Sequence, residues 1–92
     1  MKRVMDESKH QFKAAFLDFA TLTIYPSTFS DGRPAPMHLL DGLPDEVVVD
    51  RARSGRVIAT KATLIAGFER DGFFYTRTAA ARAAAEWEQA SR

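Results

Sequence analysis

His38 stands three residues before Asp41, with Ser27 and Ser30 upstream. These are the residue types of a serine hydrolase: a hydroxyl to attack, an imidazole to take its proton and a carboxylate to orient the imidazole. Neither serine sits in a G-x-S-x-G elbow, so a turn histidine is the plainer reading. Metal ligation needs several His, Cys or carboxylate groups to converge, and this chain has no cysteine and only His10 and His38, which are not at ligand spacing. Asp45 and Glu46 form a carboxylate pair just after Pro44. General acid and base work would require a cleft that 92 residues can hardly enclose. No glycine-rich phosphate loop occurs. The expectation is a chain without catalytic residues, metal or cofactor.

Binding chemistry is better represented. Arg51, Arg53, Arg56 and Lys61 fall close together, with Phe73, Phe74 and Tyr75 further on to stack against bases. Residues 1–50 hold five Lys/Arg against eight Asp/Glu, and residues 51–92 hold eight against four. A basic face for nucleic acid is therefore one reading. The ordinary one is that the halves neutralise each other in the fold, since net charge is only +1 and nucleic-acid binders usually have a higher pI. Protein binding draws on a proline-rich stretch whose Phe29, Met37 and His38 are the candidate partner contacts, and on sheet edges able to pair with another chain. Leu39 and Leu40 in the same stretch are expected to pack inward.

These residues must be positioned by a few short elements. Phe12, Phe16 and Phe19 fit helical spacing, while Phe12, Ala14 and Phe16 also fit one face of a strand. The β-branched and aromatic run Leu22-Thr23-Ile24-Tyr25 favours the strand, pairing back across 18–21 as a hairpin. A helix from about Glu7 to Ala20 is the competing reading. From Pro26 to Pro44, four prolines and two Asp-Gly pairs predict a long irregular loop, in which Met37-His38-Leu39-Leu40 suits one short turn or strand. Loops of this length in small domains tend to carry function. Residues 46–50 read as a strand and 52–55 as a turn. A second strand is expected from Arg56 to Phe68, with Ile58, Ala62, Leu64, Ala66 and Phe68 on its apolar face.

The run Gly67-Phe68-Glu69-Arg70-Asp71-Gly72-Phe73-Phe74-Tyr75-Thr76-Arg77 is the clearest structural signal. Asp71-Gly72 suits a type I′ turn, which requires positive φ at both central positions, and Phe73-Phe74-Tyr75 is its return strand. Thr76 or Thr78 then caps a helix reaching Ala90, in which seven alanines supply high propensity. Its packing face is expected at Ala80, Ala83, Ala84 and Trp87. The spacing GF-x3-G-x-F-x2-R-x2-A over residues 67–80 resembles a segment of small uncharacterised bacterial and prophage-borne proteins. That resemblance implies an accessory gene product, with no catalytic residue to carry over.

Length bounds the whole: a polar tail over 1–9 and one domain over 10–90, with the proline-rich loop at 26–44 inside it. Absence of cysteine fits a reducing cytoplasm, and no apolar run suits export or a membrane span. The fold class predicted is α+β, an antiparallel sheet of four to five strands packed by a C-terminal helix. The function predicted is a protein-interaction or self-associating module, acting on an unknown protein partner or a second copy of itself. Nucleic-acid binding by the 51–61 hairpin is second and a small enzyme third.

Overall fold

The computed structural model describes residues 11–90, without the side chains of residues 87–90. The tail over 1–9 and His10 thus lie outside the described residues, as does the side chain of the expected Trp87 anchor. Within them the protein is a small α+β fold. Strands β1 (Lys13–Asp18), β2 (Thr23–Pro26), β5 (Leu64–Arg70) and β6 (Phe73–Tyr75) form an antiparallel sheet in the order β2-β1-β5-β6. Between β2 and β5 the chain builds a separate two-stranded ribbon, β3 (Val48–Arg51) with β4 (Val57–Thr60). Helix α1 (Arg77–Ala90) follows β6.

Strand prevails over helix at 13–18 because Asp18 closes a hairpin. Its carboxylate accepts from the Ala20 amide at 3.0 Å, and its carbonyl from the amides of Thr21 at 3.2 Å and Leu22 at 2.7 Å. Pairing then runs Ala15 to Pro26, Phe16 to Tyr25, Leu17 to Ile24 and Asp18 to Thr23. Leu22 is held in the left-handed region at φ 60°, which usually disfavours a residue with a Cβ. The Asp71-Gly72 turn has φ of 55° and 87°, as the type I′ geometry requires.

Two expected strands are redrawn. The strand at 46–50 starts only at Val48, because Pro44 leads into a 3-10 turn at Asp45–Val47 that buries Val47. The single strand expected over 56–68 is two strands. At 61–63 the Lys61 amide bonds the Val47 carbonyl and Leu64 N bonds Lys61 O, so the chain leaves the ribbon and enters the sheet. One apolar face cannot run through such a break. Accordingly Ile58 is 61% exposed on the ribbon, and Ala66 is exposed as well. Ala66 lies on the half of β5 that β6 does not reach, since β6 pairs only with Phe68, Glu69 and Arg70.

The core gathers Phe16, Leu43 and Val47, edged by Tyr25, Val48 and Leu64. The proline-rich loop is tied down at Ser27, a buried hydroxyl that donates to Met37 O at 2.7 Å and accepts from Leu39 N at 2.8 Å. Leu39 is accordingly half-buried, whereas Leu40, expected inside, is exposed where its carbonyl opens the turn to Leu43. Thr76 caps α1 by accepting from the Ala79 amide at 3.1 Å. Ala80 is buried and Ala83 and Ala84 are half-buried, on the face the alanine pattern predicts. Phe12, Phe68, Arg77, Ala80 and Ala81 line a shallow hollow where the helix starts.

Candidate functional site

Opposed residues in an antiparallel pair share a face, so the register sorts the sheet into two sides. Ala14, Phe16 and Asp18 share a side with Tyr25, Leu64 and Phe68. This is the closed side, covered by Leu43, Val47 and Val48. His38 belongs to it: its ring meets Phe16 and Phe68 edge to face at 5.4 and 5.3 Å, and Nε2 lies 2.7 Å from the Gly67 carbonyl. Serving as a peg between loop and sheet, His38 does not present itself as a surface contact. At the sheet's far end Arg70 stacks on Phe12 at 4.5 Å and on Tyr75 at 5.3 Å, which fixes the start of β1 against β6.

The other side carries Lys13, Ala15 and Leu17 on β1, Ile24 and Pro26 on β2, Ile65, Gly67 and Glu69 on β5, and Phe74 on β6. Its middle is sealed. Ala15 is fully buried, and a Cβ on Gly67 would run into the Phe74 ring and the Tyr75 carbonyl, so only glycine lets that ring lie down there. Toward the β1–β2 turn the side is open and apolar. Leu17 and Ile24 are half-buried, Ile65 is 36% exposed, and Phe19 and Leu22 in the turn are 52% and 76% exposed. Lys13 and Glu69, directly opposed, mark its other end.

No single residue type announces this patch. Its members come from three strands and a turn, and only the pairing register brings them together. Phe19 is visible in the sequence as an aromatic, but the helical alternative there assigns it to a core stripe. Of the residues expected to contact a partner, Met37 is 51% exposed and Phe29 is half-buried beneath the Arg33 guanidinium, 5.5 Å from the ring centre.

The basic residues do not form one row. Arg51 is committed to the fold: it bonds Asp45 at 3.2 Å, the Gly55 carbonyl at 2.7 Å and the Leu43 carbonyl at 2.9 Å. Lys61 stands 3.6 Å from the buried Asp18 carboxylate. Arg53 and Arg56 are exposed and have no ion pair among the described residues. Beside the ribbon tip, Ser30, Asp41, Arg51, Ser54 and Arg56 line an open groove of about 530 Å³. Asp41 accepts there from the Val57 amide at 3.1 Å, joining loop to ribbon. Val49 and Ile58, at 66% and 61% exposed, fall at the two register shifts of the ribbon and lack opposed partners.

Among the described residues, two groups have displaced pKa values. The Thr63 hydroxyl is the largest influence holding Asp18 below the usual carboxylate range, helped by the Ala20 amide and Lys61 and opposed by burial. That hydroxyl is buried and accepts no hydrogen bond from a backbone or side-chain donor among the described residues. A hydroxyl hydrogen rotates freely, so we read it as a donor turned to Asp18. Tyr25 donates its phenolic proton to Glu46, which pushes the Tyr25 pKa up. Both interactions brace the closed side.

Among the described residues no three His, Asp or Glu side chains converge as a metal site, and no helix is long and apolar enough to cross a membrane. No family model, curated protein or solved structure matches this chain.

Proposed function

We propose that the protein is a non-catalytic protein-interaction module of the cytoplasm, in keeping with the accessory role implied by the resemblance of residues 67–80. The carrying observation is the open apolar side of the four-stranded sheet, where Phe19, Leu22 and Ile65 stay exposed beside Leu17 and Ile24. Contiguous apolar surface of this kind marks a docking site more often than scattered exposed residues do. Aliphatic side chains on a rigid sheet also lose little freedom on binding, which favours association.

The test is capture of proteins from nuclease-treated host lysate by the wild-type chain and by Ile65→Glu. Ile65 is 36% exposed, so circular dichroism and urea titration of the variant separate a loss of docking from a loss of fold. A discrete protein retained by the wild type and lost by Ile65→Glu supports the reading. Equal retention by both removes this side from it.

A second reading is nucleic-acid binding at the ribbon tip, favoured by the exposure of Arg53 and Arg56 beside the groove. Only two of the four basic candidates are available to it. The Arg53→Ala/Arg56→Ala pair should then weaken binding to nucleic acid and flatten its salt dependence.

A further inference from the structure

We infer that the partner docking on the open side of the sheet is a second copy of this chain, the two sheets stacked about a two-fold axis that runs parallel to the strands between β1 and β5. This rests on the interaction-module reading above and names its partner. In a two-fold interface each patch meets itself, so whatever faces residue i must also suit the reciprocal contact. The axis between β1 and β5 exchanges those strands across the interface. Because Lys13 opposes Glu69 and Leu17 opposes Ile65 within one sheet, each of these then faces the other's counterpart in the second copy, on either side of the middle that the Phe74 ring closes. Lys13 meets the second copy's Glu69, and Glu69 meets its Lys13. Leu17 and Ile65 likewise exchange.

The charge pattern fits this arrangement. Lys13 is exposed with no ion pair among the described residues, and the Glu69 carboxylate is held in place by the Gly72 amide at 2.7 Å. Stacked sheets stand about 10 Å apart, a gap that a lysine and a glutamate reaching toward each other can span. Shape fits as well. Since β6 pairs only with Phe68–Arg70, no strand among the described residues lies on the outer side of the Leu64–Gly67 half of β5. The same rotation sets the second copy's Ile24 over that notch, beside Ile65. The face is small, about 4.8 Å per strand across three strands and roughly 3.4 Å per residue along six, or roughly 300 Å² of footprint. The two faces together make roughly 600 Å², short of the roughly 1,000 Å² of a stable interface, so the dimer is a weak, concentration-dependent one.

The experiment is sedimentation equilibrium of the full chain from about 1 μM to about 1 mM, on the wild type, Ile65→Glu, Lys13→Glu and Glu69→Lys. A wild-type dimer is expected, abolished in Ile65→Glu. Each charge variant alone sets two like-charge pairs across the interface and should dimerise roughly tenfold more weakly. An equimolar mixture of Lys13→Glu and Glu69→Lys restores opposite charges at both contacts. In the mixed dimer the introduced glutamate faces the introduced lysine, and the native Glu69 of one copy faces the native Lys13 of the other, so wild-type strength should return. A purely intramolecular role for Lys13 and Glu69 predicts no gain on mixing. A wild-type chain that stays monomeric throughout, or a dimer indifferent to Ile65→Glu, overturns the inference, and a dimer without recovery on mixing overturns this axis. Protein capture lost in Ile65→Glu from a monomeric wild type would reject the second copy and leave the interaction reading standing.

Discussion

The two sides of the four-stranded sheet are made by alternate residues of the same strands, and they differ in what completes them. On one side Phe16 is buried under Leu43 and Val47, delivered by the proline-rich loop and the turn before β3. On the other, its neighbour Leu17 shares a row with Ile24 and Ile65 and remains partly open. Hydrophobicity is similar on the two sides. What separates them is which one the intervening chain returns to cover. A loop that would otherwise be a liability thus works as the second layer of a very thin fold, leaving the first layer's outer side available.

Truncating two adjacent residues separates the two sides most directly. Phe16→Ala should destabilise the protein by about 3–5 kcal/mol, since it opens a cavity beneath Leu43 and Val47. Leu17→Ala should lower monomer stability by only about 1 kcal/mol, because part of its surface is already in water. Urea unfolding at a low protein concentration measures both. Similar losses at the two positions would mean that the side of Leu17 is also covered in the monomer.

A smaller, electrostatic effect belongs to the closed side. Asp18 ends the closed side with 1% of its surface exposed, and its folded-state pKa lies below the ordinary value of 3.8. A depressed carboxylate pKa contributes stability that is fully present above the unfolded value and is lost as pH falls through the folded one. Stability should therefore decline below about pH 3.8. In Asp18→Asn that part of the acid dependence should vanish, together with some stability at neutral pH. Thermal unfolding from pH 7 to pH 2.5 of both proteins reads the difference directly. Parallel curves would show that other carboxylates dominate the acid limb.

Much of the fold is legible in the sequence where local chemistry decides it. Asp71-Gly72 states its turn, Thr76 and the alanines state the helix, and Leu22-Thr23-Ile24-Tyr25 states a strand. The break at 61–63 is not legible, because Lys61-Ala62-Thr63 contains no glycine or proline. It is imposed by distant groups, the Val47 carbonyl on Lys61 N and the Asp18 carboxylate beside Lys61 and Thr63. Sites suffer the same way. His38 reads as polar and available, yet it fits between two phenylalanines whose spacing only the register sets. Arg51 reads as one more free cation, and its donors go to the carbonyls at 43 and 55. The open side emerges from cross-strand pairs far apart in sequence, such as Leu17 with Ile65, 48 positions apart, which no local pattern encodes.

Leu22 offers the smallest and most discriminating test of the two sides. A leucine at φ 60° is disfavoured by about 1–2 kcal/mol relative to an ordinary backbone conformation. Glycine relieves that strain, while its freer unfolded chain offsets roughly 0.5–1 kcal/mol of the gain. Leu22→Gly should therefore raise monomer stability slightly, by about 0.5 kcal/mol. The side chain is 76% exposed, so the monomer core loses almost nothing. If Leu22 instead serves the open side, the same change should weaken association while stability rises. Opposite movements in urea unfolding and sedimentation would mark a strained turn kept for the surface it presents. A rise in stability with unchanged association would reduce Leu22 to a turn residue that the hairpin merely tolerates.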